Sequence, residues 1–202
     1  MTESTAVAPA AAPSSRDRLL DSAAELFYRE GVNAGVEALC RAAGVSKRSM
    51  YQMFGSKDEV VAASLARRGP GHQALLLPPD DGGSPCERIL HVFRRLEDLS
   101  VDPSFRGCPF VAAAVELKSP DHPASRVARH SKDALTAFFQ HEAELGGAPD
   151  PALLARQLTV AFDGSSTWSV IQAQGLDGLA VETARALLDA AGLTGTAPGG
   201  AR

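Results

Sequence analysis

The chain has 202 residues, of which 45% are hydrophobic, and its 20 lysines and arginines against 24 aspartates and glutamates leave a net charge of −4. That is ample for a buried globular core, and it excludes a protein that coats nucleic acid through bulk positive charge. Cys40, Cys86 and Cys108 stand far apart with no CxxC pair, which excludes a zinc or dithiol motif and fits a reducing cytoplasm; no apolar run approaches the roughly 18 residues of a membrane span.

The charge is unevenly placed. No acidic residue lies between Glu37 and Asp58, whereas Arg41, Lys47, Arg48 and Lys57 all do. Residues 69 to 202, by contrast, hold 11 basic and 16 acidic side chains. A local basic patch in an acidic chain implies two surfaces with different partners.

In chain order, the first fourteen residues are mostly Ala, Pro, Ser and Thr, interrupted by prolines, and predict a disordered tail rather than a signal peptide. Ser14 stands three residues before Asp17, a capping-box spacing. Leu19, Leu20, Ala23, Leu26 and Phe27 then repeat as one helical stripe that Gly31 can end. A second, short helix is expected from about Val36 to Ala43, followed by the turn residue Gly44 and by Ser46 as cap of a third helix. Two short helices around a glycine turn make a helix-turn-helix.

Placed at about 100° per residue, Lys47, Arg48, Tyr51 and Gln52 share one side of the third helix. Ser46, Ser49, Met50, Met53 and Phe54 share the other. The apolar side can anchor the helix while the basic side meets a duplex: Lys and Arg neutralise phosphates or read guanine, Gln pairs with adenine, and Tyr or Ser bonds phosphate oxygens. Lys57, beside Ser56 at the next helix start, adds its charge to an amide-rich terminus that favours phosphate. The candidate DNA-binding residues are Ser46, Lys47, Arg48, Ser49, Tyr51, Gln52 and Lys57.

The run Leu39-Cys40-Arg41-Ala42-Ala43-Gly44-Val45-Ser46, the pair Tyr51 and Phe54, and Ser56-Lys57-Asp58 together resemble the DNA-binding domain of the TetR (tetracycline-repressor) family over residues 15 to 65. Two positions depart from that pattern. Cys40 replaces a small alanine, and Gly35-Val36 stand where a threonine commonly caps helix two, which puts one phosphate contact in doubt.

Helix four is expected from Lys57 to about Arg68, with "GPGHQALLLPPDDGGSP" as a loop. Further helices are expected over 86–100, 108–118, 122–145, 150–174 and 180–191. The fold class is therefore all-α: an N-terminal three-helix helix-turn-helix domain and a C-terminal helical bundle. Its expected parts are a tail over 1–14, the DNA-binding domain over 15–68, a linker over 69–85, a ligand-binding and dimerisation domain over 86–192, and a tail over 193–202.

The resemblance implies that the second domain senses a small molecule and that its last two helices pair with those of a twin subunit. Such a homodimer would present two recognition helices about 34 Å apart to a palindromic operator of double-stranded DNA. "FRGCPFVAAAVEL", residues 105 to 117, is similar to a stretch near the ligand cavity in part of the family. Phe93, Cys108, Phe110, Phe138, Phe162 and Trp168 are candidate ligand-binding residues, with His91, His130 or Asp163 as polar partners. For the aromatics the competing reading is plain core packing, and for Cys108 a structural thiol as against a sensor of oxidants or electrophiles.

No catalytic or metal-binding constellation emerges, and no cofactor is implied. "HEAEL" lacks the second histidine of HExxH, "DDGGSP" lacks the lysine of a phosphate loop, and "FDGSST" is not a GxSxG elbow. The expected protein is a cytoplasmic, ligand-responsive transcriptional regulator, most simply a repressor, with no membrane partner. The alternatives are a cysteine-based redox regulator, a helical small-molecule-binding protein without DNA affinity, and an enzyme built on a helical bundle.

Overall fold

A computed structural model describes residues 13–79 and 82–193. Those residues form nine helices and no strand: α1 (Ser15–Glu30), α2 (Val36–Ala43), α3 (Lys47–Met53), α4 (Lys57–Leu76), α5 (Pro85–Ser100), α6 (Pro109–Leu117), α7 (Pro123–Leu145), α8 (Pro151–Gln172) and α9 (Leu179–Ala190).

Local chemistry sets most of these boundaries. Ser14 and Asp17 close a capping box at α1, and Ser84 and Glu87 close another at α5. Ser46 and Ser56 cap α3 and α4 through their hydroxyls. Proline occupies the first position of α5, α6, α7 and α8, where its missing N–H costs nothing. Gly35 begins α2 without a side-chain cap, as expected from the missing threonine. Gly44, at φ 63° and ψ 35°, supplies the left-handed residue that turns α2 into α3.

The expected end of α4 is corrected. The helix does not stop near Arg68 but continues through Gly69, Pro70 and Gly71 to Leu76, so the described connection to α5 is short. Pro70 removes one N–H, a penalty of about 3 kcal/mol in an ordinary helix interior. Tertiary packing offsets it: Leu76 is buried, His72 packs edge-on against Phe110 at a centroid separation of 5.5 Å, and Arg95 donates from Nε to the Leu75 carbonyl at 3.1 Å.

Most of both expected tails lies outside the described residues. Ser14 and Leu193 fall inside them, and Leu193 is buried against Gly146 rather than belonging to a tail.

Two apolar cores organise the molecule, and they do not divide at the expected linker. One gathers Leu19, Phe27, Leu39, Met50, Phe54 and Val61 from α1 to α4, but also Cys108, Phe110 and Ala113 from α6 and its cap, and Ala124 and Ala128 from α7. The other joins Leu76 at the end of α4 to α5, the rest of α7, α8 and α9 around Phe93, Phe139 and Phe162. Helices α4 and α7 therefore bridge the two cores. An ion pair between Arg88 Nε and Glu142 Oε1, at 2.8 Å and largely buried, ties α5 to α7.

Candidate nucleic-acid interface

Helix α3 is held from below and open above. Met50 is 0% exposed and Phe54 is buried in the N-terminal core, with Arg16 of α1 4.9 Å from the Phe54 ring centroid. Cys40 Sγ packs 3.9 Å from Met50 Sδ, so the thiol fills the alanine position without strain. On the opposite side Lys47, Arg48, Tyr51 and Gln52 all face solvent, Tyr51 with 50% of its surface exposed. The expected phase of the helix is thus the observed one.

The remaining expected residues take other positions. Ser46 accepts the Ser49 backbone N–H at 3.0 Å, and the two hydroxyls lie 2.9 Å apart, so both work first as a cap. Ser49 is half-buried. Lys57 is half-buried as well, and its ammonium lies 6.0 Å from the centroid of the Phe27 ring.

Lys47 is not free. Its Nζ lies 2.7 Å from Oε1 of Glu37 in the first turn of α2, with both side chains exposed. The hydrogen bond from Lys47 holds the Glu37 carboxyl below the usual carboxylate range, and the carboxylate raises the lysine in turn. Sequence reading counted Glu37 as the edge of the basic window and missed its reach into it. Ten residues of separation across a turn leave no periodic signal for such a pair.

Behind this face, α4 is clamped to α1. Arg67 reaches Asp17 at 2.8 Å and Asp21 at 2.6 Å, and Arg68 donates to the Ala24 carbonyl while its guanidinium stacks 4.4 Å from the centroid of the Tyr28 ring. On the other side of α4, a cleft of about 560 Å³ opens between α4 and α7. Phe110 and His130 line it, and a smaller recess continues inward past His72, Lys132 and Phe162.

Residues 19–64 match the model of bacterial regulatory proteins of the tetR family. Along the whole fold the chain is similar to the crystal structure of a TetR-type transcriptional regulator from Streptomyces avermitilis. The two are 58% identical with a TM-score of 0.87, and the match covers 90% of this chain and 100% of that one. The chain belongs to the TetR family of transcriptional regulators.

Other relatives agree at their own level. The TetR-family regulator SCO4454 of Streptomyces coelicolor has a TM-score of 0.77 at 23% identity, covering 88% of this chain and 95% of its own, a likeness of fold alone. The HTH-type transcriptional regulators TtgW and SrpR of Pseudomonas putida are each 40% identical over 60 residues, or 29% of this chain. That match spans only 45% and 28% of those two proteins' lengths.

Regulators of the TetR family bind DNA and are not enzymes, and they usually act as dimers with small-molecule effectors. Among the described residues of this TetR-family chain, no group of three His, Cys, Asp or Glu could hold a metal ion, and no helix is long and apolar enough to cross a membrane.

The expected ligand-binding residues separate. Phe110 borders both the α4–α7 cleft and its recess, and Phe162 lines the recess. Both are also core residues, each only 1% exposed, whereas Phe93, stacked on Phe139 at 5.8 Å, borders neither the cleft nor the recess, and Phe138 and Trp168 pack against the same core. The aromatic content alone could not distinguish wall from core. Cys108 is buried at the start of α6, where its N–H donates to Ser166 Oγ at 2.9 Å. Of the polar candidates, His130 lines the cleft and Asp163 is paired with Lys132, while burial lowers the pKa of half-buried His91 on α5.

Proposed function

We propose that this TetR-family chain is a homodimeric repressor that holds a palindromic operator and releases it when a small molecule enters the α4–α7 cleft. The observation that carries the reading is the outward face of α3. Lys47, Arg48, Tyr51 and Gln52 project from a helix whose opposite side is sealed by Met50 and Phe54. In this reading Arg48 and Gln52 meet base edges, while Lys47, Tyr51 and the hydroxyls of Ser46 and Ser49 meet the backbone. Lys57 contributes at longer range.

Dimerisation is supported by an apolar stripe on α8. Leu153, Val160 and Ile171 are exposed at helical spacing, with the small Gly164 and Thr167 between them, and Leu179 of α9 is exposed nearby in sequence. A second copy of the chain covers this stripe and sets the two α3 helices at the spacing of successive major grooves.

Release follows from shared helices. Residues of α4 line the cleft and the same helix is clamped to α1, while Phe110 of α6 borders the cleft at one end of a helix whose other end touches the DNA-binding half. A ligand that binds the cleft better when α4 and α6 are displaced draws the population toward a form whose α3 helices no longer fit one duplex face. The regulator works in the cytoplasm, where its operator is. Burial of Cys108 argues against that thiol as the sensor of the cysteine-based alternative.

The test is a mobility-shift titration against the DNA upstream of the gene, at several salt concentrations. Binding should weaken steeply with salt as phosphates regain their counterions, and the Lys47→Ala/Arg48→Ala double variant should lose most of it. Parent-like binding by that variant would mean that α3 is not the reading helix.

A further inference from the structure

The walls of the α4–α7 cleft carry information about what enters it. Leu65, Ala66, Pro70, Phe110, Val127 and Ala134 give it an apolar lining, and its volume of about 560 Å³ suits a body of drug-like size. Its titratable lining residues are Arg126 and His130, on one face of α7, and no aspartate or glutamate lines it. Gln73 and Ser131 add neutral polar groups between this rim and the inner recess.

The recess adds no free carboxylate. Lys132 lies there, its ammonium paired with Asp163 and 5.0 Å from the centroid of the Phe162 ring, so the one nearby carboxylate is already engaged. His72 lies beside it against Phe110. Burial above all, and then the nearby charges of Lys132 and Arg68, push that imidazole down to about 4.

We propose that the cleft selects amphipathic anions: molecules with an apolar aromatic or aliphatic body and a carboxylate or similar group that meets Arg126 and His130 at the rim. The inference rests on the cleft being the effector site of the proposed function. Arg126 donates one N–H to the Asp121 carbonyl, and a guanidinium carries five such donors in a fork that fits a carboxylate. A cationic ligand of the same shape would bring its charge toward Arg126 with no carboxylate on the lining to receive it. A neutral ligand would gain the apolar contacts but leave the rim donors without an anion.

The full-length dimer, free of DNA, is titrated calorimetrically with decanoate, decanol and decylammonium, and with naphthoate, naphthylmethanol and naphthylmethylammonium. The carboxylate of each set should bind at least about tenfold more tightly than its ammonium counterpart, the scale of one charge-assisted hydrogen bond. Arg126→Gln should collapse the carboxylate-over-alcohol ratio toward one. Tighter or equal binding by an ammonium or alcohol, a ratio that survives Arg126→Gln, or no binding by any of the six overturns the proposal. A parallel mobility shift keeps the two readings apart. Charge-selective binding without operator release defeats the release mechanism and leaves the selectivity standing, whereas operator release by the ligands with no charge preference defeats the selectivity and leaves the release mechanism standing.

Discussion

Glu116, near the end of α6, accepts the backbone N–H of Val32 at 2.9 Å, although 84 residues separate them in the chain. Its other oxygen accepts the N–H of Asn33 at 3.0 Å. One carboxylate thus closes the turn between α1 and α2, and Gly31, at φ 87°, makes room for it: a Cβ there would lie 2.7 Å from the Glu116 oxygen. Nearby, the Arg106 N–H donates to the Tyr28 hydroxyl at 2.8 Å. The same short helix that borders the cleft through Phe110 therefore grips the DNA-binding half through Glu116.

Glu116→Ala should destabilise the protein by about 1–3 kcal/mol, because it strips the partner from a partly buried amide, and should weaken operator binding by loosening the turn that leads into α2. Thermal unfolding and a mobility shift measure both. An unchanged melting temperature would show that water replaces the carboxylate at no cost. Gly31→Ala should be destabilising too, through both the left-handed backbone and the carboxylate it would meet.

Glu37→Gln should tighten DNA binding. The substitution releases Lys47 from its 2.7 Å partner and removes a negative charge from beside the face proposed to meet phosphates. One added effective cation steepens the dependence of log affinity on log salt by about 0.9. If affinity falls instead, Glu37 serves to aim Lys47 or reads a base itself.

Stability should decline in mild acid because of His72. Its folded pKa of about 4 lies below the ordinary 6.5, so between those values the unfolded chain binds more protons than the folded one. The folded state is fully favoured above about pH 6.5 and loses stability as pH falls toward 4, by roughly 3 kcal/mol in the limit. Melting curves across that window should be steeper in pH for the parent than for His72→Gln; identical slopes would place the acid sensitivity elsewhere.

Val160→Arg should separate the subunits without unfolding them. Val160 is 72% exposed on the stripe assigned to the second copy, so a charge there costs little within one chain and much in a closed interface. Light scattering should show a shift toward monomer, accompanied by weaker operator binding. A variant that remains dimeric would move the interface to another face.

The outward side of α3 was legible from sequence because it depends on two local rules, a serine cap and a helical phase, that act within eleven residues. The pairing of Glu37 with Lys47 was not, since it depends on the angle between two helices. Helix α4 was read too short for the opposite reason: Gly69, Pro70 and Gly71 are strong local stop signals, and only packing of His72 and burial of Leu76 override them.

By itself, then, the amino-acid order settled what neighbouring residues settle among themselves: nine helical segments, the serine caps of α1, α3 and α4, and which side chains of the third face outward. Only the folded chain decided which core aromatics also border the cleft, that α6 belongs to the packing of the N-terminal half, and that one carboxylate bridges the two. Helix formation answers to bonds four residues long, whereas a cleft or a clasp exists only where remote surfaces are pressed together to bury apolar area, and no short-range pattern encodes that distance.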